Sequence, residues 1–274
     1  LYENLLFELT NVLNTYHKVE WTVRSWRILI GPWLLRFIEI LYDRWKSIQA
    51  LENYNISAAS SSDIDWDKIT PWDFAELSDL AKTDKWNYYV YSKILKYLGK
   101  IKLEEVNVSS IKNHQKSNQK NKRFNLRNII LYLPKLFLHS SIYQKMAVYI
   151  SRKNNYYLYN TYIKSKLKIM ELSLRLHDYP ILTLEHQALE PIELNKKMRK
   201  KLIFNFPNND EFGKFVRSVL PNNIPRIYVE GFKCLLDKVK NSGFGNNKKA
   251  IITTIGIYKD EVFKAWVSQS VQSG

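Results

Sequence analysis

The chain has 274 residues, of which 45% are hydrophobic and 14% aromatic, a composition typical of a folded globular protein. Cys234 is the single cysteine, which excludes an internal disulfide or a cysteine metal cluster and suits a reducing, cytoplasmic setting. A formal charge of +16 is common in nucleic-acid-binding proteins, but thirteen Lys and Arg residues lie between residues 111 and 170, where Asp and Glu are absent. Because the remainder is nearly neutral, we expect no nucleic-acid partner.

The first predicted helix follows from apolar residues at spacings of three and four between Tyr2 and Tyr16, and His17 follows its end. A second helix is predicted from Trp33 to about Glu52, with Pro32 at its first position, where no amide donor is needed.

Two arginines and a glycine precede this second helix. Arg24 and Arg27 lie beside an apolar run, so each needs a carboxylate, a phosphate or backbone carbonyls as a partner. Both an internal ion pair and an anionic ligand satisfy that need. Gly31 allows the backbone to bend or to approach a ligand closely.

The middle of the chain alternates short elements with a long polar stretch. We predict an extended piece at 55–57, a helix from Thr70 as N-cap to about Leu80, a helix from Asp84 to Gly99 and a strand from Ile101 to Val106. Residues 109–123 are rich in Lys, Asn, Gln and Ser, which predicts a flexible loop. Residues 129–138 are apolar with basic flanks, which fits either a core element broken by Pro134 or a segment that contacts an anionic membrane.

The last third of the chain contains a strand–loop–helix pattern. Earlier elements are predicted as a strand at 156–162, a helix at 163–177, a helix after Asn209 that ends before Pro221, and a helix opened by Pro225. Residues 250–254 then form a β-branched run that predicts a buried parallel strand, and a helix begins at Asp260. Thr253 and Thr254 therefore lie at the carboxyl end of a strand, where ligands bind in open α/β sheets. Asp260 fits either the cap of the helix or part of that site.

Two residues are candidate general bases. His17 can take a proton from a hydroxyl group at neutral pH, or it can simply end a helix. Glu230 is the competing carboxylate, because Gly231 beside it allows a ligand to come close; its alternative is a solvated helix residue. We predict no metal site, although Asp63-Ile64-Asp65 resembles a metal-binding Asp-x-Asp pattern in a serine-rich loop.

Several motifs along the chain form a recognisable set. They are Asn14-x-x-His17, Arg24-x-Trp26-Arg27-Ile28-Leu29-Ile30-Gly31-Pro32-Trp33-Leu34, Trp86-Asn87-x-Tyr89, Pro225-Arg226-Ile227-Tyr228-Val229-Glu230-Gly231-Phe232-Lys233, Thr253-Thr254 and Asp260-Glu261-x-Phe263-Lys264-x-Trp266. This set resembles a family of transferases encoded in bacterial O-antigen and surface-polysaccharide biosynthesis clusters. The resemblance extends along the chain and is weakest between about 107 and 160.

The resemblance implies a helix-rich α/β fold with the two-lobed, GT-B-like architecture of glycosyltransferases. Residues 1–244 are then a helix-rich first lobe, and 245–274 begin a second, truncated Rossmann-like domain that binds the donor nucleotide. It also implies further chain on both sides, so we expect residues 1–274 to be inactive by themselves.

The expected reaction is transfer of a sugar or related group from a nucleotide-activated donor to a lipid-linked or polysaccharide acceptor. His17 or Glu230 would act as base, and Arg24, Arg27, Gly31, Thr253, Thr254 and Asp260 would bind substrate. No cofactor is expected, and peripheral contact with the inner face of the cytoplasmic membrane is possible. The alternative is a non-catalytic helical scaffold that binds assembly partners or the membrane surface.

Overall fold

The structure is a computed structural model, and it describes residues 1–51, 54, 56, 58–61, 64–105, 156–159, 168, 175, 189–204, 210–242, 244 and 250–272. Predictions for the loop at 109–123, the apolar segment at 129–138 and most of the helix at 163–177 lie outside these residues.

The described part of the chain is a helix-rich α/β protein with few strands. The helices are α1 Tyr2–His17, α2 Val23–Ala50, α3 Phe74–Leu80, α4 Asp84–Leu98, α5 Lys196–Arg199, α6 Glu211–Asn223, α7 Arg226–Val229, α8 Phe232–Asn241, α9 Gly256–Lys259 and α10 Glu261–Gln272, with a 3₁₀ turn at Trp66–Lys68. The strands are β1 Ala58–Ser61, β2 Lys102–Glu105, β3 Tyr156–Tyr159 and β4 Ala250–Thr253.

The chain divides into two compact units. The first contains residues 1–114 and 190–233, and the second contains 115–189 and 234–274. The second unit includes residues 234–244 and 115–189 in addition to 245–274. The domain boundary expected at residue 245 stays a prediction.

The second helix begins ten residues before its predicted start. Thr22 caps α2 by accepting a hydrogen bond from the Ser25 amide, and Pro32 lies inside the helix instead of at its first position. An internal proline removes one helical hydrogen bond. Complete burial of Trp26 and Trp33 on either side of it offsets that loss, so packing decides where this helix begins.

The core of the first unit is aromatic and is built on α2. The Trp45 ring lies 5.2 Å from Phe215 of α6, and Trp33 lies 6.3 Å from Tyr228 of α7, between ring centroids. Trp86 of α4 is completely buried. Trp45 also lies 6.0 Å from Tyr97 of α4, so these large side chains connect α2, α4, α6 and α7 into one hydrophobic cluster.

Helix caps in the first unit differ in detail from the prediction. Asp73, not Thr70, caps α3 by accepting from the Glu76 amide at 2.8 Å, while the Glu76 carboxylate accepts from the Trp72 amide. Thr70 instead donates to the carbonyl oxygen of Asn222 at 2.8 Å. The predicted end of α4 at Gly99 is confirmed, since Gly99 has the left-handed conformation with φ of 65°. The predicted strand near 101–106 is confirmed as β2, which pairs in parallel with β1.

The second unit contains the predicted strand and helix. β4 pairs in parallel with β3, from Tyr156 opposite Ala250 to Tyr159 opposite Thr253. Asp260 begins α10 as predicted, and its Oδ1 accepts from the Phe263 amide at 3.0 Å. The strand is less buried than expected, because 44% of Ile252 is exposed. The short helix α9 between β4 and α10 was not predicted.

Candidate functional site

Asn14 holds the turn between α1 and α2 together. Its Oδ1 accepts from the Trp21 amide at 3.1 Å and from Trp26 Nε1 at 2.8 Å, and its Nδ2 donates to the Trp21 carbonyl oxygen at 2.8 Å. Lys18 has the left-handed conformation that ends α1, with φ of 55°. Every polar atom of the Asn14 side chain is therefore used to place the end of α1 beside Trp26.

His17, the last residue of α1, is half-buried against α7 and α8. Its Nε2 lies 2.9 Å from the Tyr228 carbonyl oxygen, which can only accept, so Nε2 carries the proton of the neutral ring. The imidazole stacks on Phe232 with centroids 4.1 Å apart. Burial lowers the pKa of His17 to about 4, and the Tyr228 hydrogen bond and the nearby charge of Glu230 oppose this only in part. At neutral pH the Nδ1 lone pair is therefore free to accept a proton.

Glu230 has a very different environment. Both of its carboxylate oxygens bind the Arg199 guanidinium, each at 2.7 Å, and Oε1 also accepts from the Asn195 amide at 3.1 Å. The Glu230 side chain is 4% exposed and that of Arg199 is fully buried. Arg199 further donates to the carbonyl oxygens of Pro221 and Ile224. These contacts fit a structural role that fixes α7 to α5.

The two predicted arginines lie on exposed positions of α2. Arg27 forms a bidentate pair with Glu3 of α1 at 2.6 and 2.7 Å, and both side chains are largely in solvent. Arg24 is exposed, and among the described residues it has no hydrogen-bond or ion-pair partner. Gly31 lies where α1 and α2 approach each other, because an added Cβ would be 2.6 Å from the Tyr2 hydroxyl.

The remaining predicted residues belong to the second unit. Thr253 Oγ1 accepts from the Gly256 amide at 3.1 Å, which closes the turn after β4. Thr254 is exposed, and Asp260 is buried as the cap of α10. His17, Arg24, Arg27, Gly31 and Glu230 all lie in the first unit, where His17 is brought to the segment that contains Glu230.

The acidic pattern near residue 65 binds a lysine. Lys196 Nζ lies 2.9 Å from Asp65 and 2.8 Å from Asp67, while Asp63 is outside the described residues. Within the described ranges, no group of three or more His, Cys, Asp or Glu side chains could hold a metal ion. Among the helices described, none has both the length and the apolar character needed to cross a membrane.

Comparison with protein families decides the class of the protein. A family model described as LIC12162 family transferase matches residues 1–274. The chain belongs to the LIC12162 family of transferases. Comparison with curated proteins and with solved structures gives no match.

One residue of this transferase that sequence reasoning did not select is Arg226. It begins α7, whose Tyr228 carbonyl accepts from His17, and the residue is half-buried. Its Nε is shielded from solvent and has no hydrogen-bond partner. In the sequence, Arg226 is a positively charged residue that directly follows Pro225 and precedes Glu230, which could have suggested a functional role. The sequence does not show, however, that the Glu230 carboxylate is already bound to Arg199.

Proposed function

We propose that this transferase moves a sugar, or a related activated group, from a nucleotide donor to a precursor of a bacterial surface polysaccharide such as O-antigen. Two findings support this proposal: membership of a transferase family over the whole chain, and the motif resemblance to proteins of polysaccharide clusters. The proposal includes a two-lobed, GT-B-like architecture in which the second Rossmann-like domain binds the donor.

The observation that carries the proposal is the parallel strand β4 with its following loop and helix α10. Parallel strands followed by helices bind ligands at their carboxyl ends, and Thr253 and Thr254 are at that end of β4. Thr254 is exposed and therefore accessible to a nucleotide or sugar hydroxyl. Asp260 contributes by capping α10 and so fixing the loop.

His17 is the general base in this proposal. Its ring is held by Tyr228 and Phe232, and the nitrogen that remains available is unprotonated at neutral pH. A pKa of about 4 makes it a modest base, so it would assist deprotonation of an acceptor hydroxyl as the bond to the donor forms. Glu230, the other predicted base, fits the proposal as a residue that holds α7 in place.

We place the reaction in the cytoplasm, where nucleotide-activated sugars serve as donors, with a lipid-linked or polysaccharide acceptor. In this proposal the protein binds peripherally to the inner face of the cytoplasmic membrane. The basic residues between 111 and 170 would attract anionic lipids there.

Calorimetric titration with a panel of nucleotide sugars tests the donor. We expect the gene product that contains this chain to bind one of them with a Kd below about 10 μM, near −7 kcal/mol. Thr254→Val should weaken that binding, whereas Thr15→Val, at an exposed threonine of α1, should leave it unchanged.

Turnover tests the base. His17→Gln keeps a donor for the Tyr228 carbonyl but removes the proton acceptor, so kcat should fall roughly 10²–10⁴-fold while donor affinity stays the same. If no nucleotide sugar binds the gene product, the transfer proposal is wrong and the helical scaffold that binds assembly partners or the membrane becomes the better explanation.

A further inference from the structure

Arginines of the first unit differ in whether a carboxylate neutralises them. This unit contains seven arginines, all within the described residues. Five pair with a carboxylate: Arg27 with Glu3, Arg36 with Glu39, Arg44 with Asp43, Arg199 with Glu230 and Arg217 with Glu8. Arg24 and Arg226 have no carboxylate partner within the described ranges.

Exposure separates the two unpaired arginines. Arg24 is exposed, so water solvates its charge and no protein partner is needed. Arg226 is half-buried, and its Nε is shielded from water without any acceptor. A guanidinium carries a permanent positive charge, so its partial burial without a carboxylate costs free energy.

The backbone around Arg226 is fixed, so the side chain cannot gain a partner by a simple shift of the turn. Its amide donates to the Pro71 carbonyl oxygen and the Ile227 amide to that of Trp72, each at 2.9 Å. The Arg226 carbonyl oxygen accepts from the Gly231 amide at 2.8 Å. The nearby carboxylate of Glu230 already binds Arg199 through both of its oxygens.

We propose that Arg226 is the binding residue of an anion site for a phosphoryl group. A guanidinium presents a planar fork of donors that matches phosphate oxygens. An anion would contact the terminal Nη groups of Arg226, which are not among the buried unpaired atoms, and its charge would compensate the partly desolvated cation. The anion site rests on the missing counter-charge at this half-buried arginine. Its assignment to a phosphoryl group rests on the proposed function, in which both the nucleotide donor and a lipid-linked acceptor carry phosphates.

The test measures binding of inorganic pyrophosphate by calorimetry and by thermal shift at constant ionic strength. The wild-type protein should bind it and melt at a higher temperature in its presence. Arg226→Gln should weaken the affinity about tenfold or more, since the charge-assisted hydrogen bonds are lost. Arg226→Lys, which keeps the charge without the fork, should give an intermediate loss. Arg36→Gln, at an exposed arginine of the same unit that pairs with Glu39, is the control and should bind like the wild type.

Melting without ligand gives a second readout. Because Arg226 has no protein counter-charge, Arg226→Gln should leave the melting temperature unchanged or raise it. A clear fall would show that Arg226 is part of an internal ion pair, and the proposal would be overturned. It would also be overturned if pyrophosphate failed to bind, or if Arg36→Gln and Arg226→Gln weakened binding equally.

Two further probes distinguish the source of the phosphoryl group. Uridine diphosphate that competes with pyrophosphate supports a nucleotide donor at Arg226, and geranyl diphosphate that competes supports a lipid-linked acceptor. Pyrophosphate binding that depends on Arg226, in a protein that binds no nucleotide sugar, would uphold the anion site and contradict the proposed transfer reaction. Nucleotide-sugar binding that Arg226→Gln leaves unchanged would uphold the proposed transfer reaction and contradict a donor phosphate at Arg226.

Discussion

Glu230 and His17, the two candidate bases in the first unit, differ in how many of their hydrogen-bonding positions the fold uses. Glu230 gives both carboxylate oxygens to Arg199 and a further contact to the Asn195 amide. His17 gives only Nε2, to the Tyr228 carbonyl. A polar side chain whose donors and acceptors all bind protein groups stabilises the fold, whereas one with an unused donor or acceptor can bind a ligand or react. Arg226 resembles His17, because its side chain has donors that no protein group within the described ranges uses. Arg199 resembles Glu230, because its side chain is hydrogen-bonded within the fold.

The largest expected effect comes from Glu230→Gln. The substitution leaves the Arg199 guanidinium buried without a counter-charge, so the free energy of unfolding should fall by about 3–5 kcal/mol. Chemical denaturation measures this. Glu3→Gln, which breaks an exposed pair, is the control and should leave the midpoint unchanged. Loss of turnover in a Glu230→Gln protein of normal stability would instead identify Glu230 as the base.

A smaller effect is expected from protonation of His17. The unfolded chain binds a proton near the ordinary pKa of 6.5, whereas burial lowers the folded pKa to about 4. The unfolded state therefore holds more protons between these values, so stability falls as the pH drops from about 6.5 to 4, by up to roughly 3 kcal/mol. Subtracting the pH profile of His17→Gln removes the contribution of the carboxylates. Identical profiles for the two proteins would show that His17 is not desolvated.

Local patterns predicted much of the fold. The apolar spacing gave α1, Gly99 ended α4, and Asp260 began α10 after a β-branched strand. The start of α2 was mispredicted because proline favours the first turn of a helix, and Pro32 was therefore placed there. The burial of Trp26 and Trp33, which keeps Pro32 inside the helix, depends on the packing of the whole unit.

The site was less predictable, because its electrostatics depend on contacts between distant residues. Glu8 and Arg217 are 209 positions apart in sequence, and Arg199 and Glu230 are 31 apart. Residue types at such separations do not reveal which acid neutralises which base. Sequence reasoning therefore selected Glu230 and passed over Arg226, although both occur in one motif.

Two glycines give the next comparison. An added Cβ at Gly231 would lie 2.9 Å from the backbone Cα of Ile227 and 3.0 Å from the Trp72 ring, neither of which moves easily. Gly231→Ala should therefore cost about 1–3 kcal/mol. At Gly31 the close atom is the tip of the Tyr2 side chain, which can rotate away, and alanine favours a helix by up to about 1 kcal/mol. Gly31→Ala should be near neutral or stabilising. If both substitutions lowered the free energy of unfolding equally, the Tyr2 side chain at Gly31 would be as unable to move as the backbone at Gly231.

The smallest effect on stability is expected at Arg27. Its pair with Glu3 is largely exposed, so Arg27→Lys should leave the unfolding midpoint unchanged. Binding gives the sharper result. If Arg27 also contacts the phosphates of the donor, Glu3 competes for the same guanidinium fork. Glu3→Gln should then strengthen nucleotide-sugar binding a few-fold, while Arg27→Lys weakens it about tenfold or less. If neither substitution changes nucleotide-sugar binding, Arg27 serves only as the surface partner of Glu3 in α1. Arg226 is then the arginine of this unit that we expect to bind an anion.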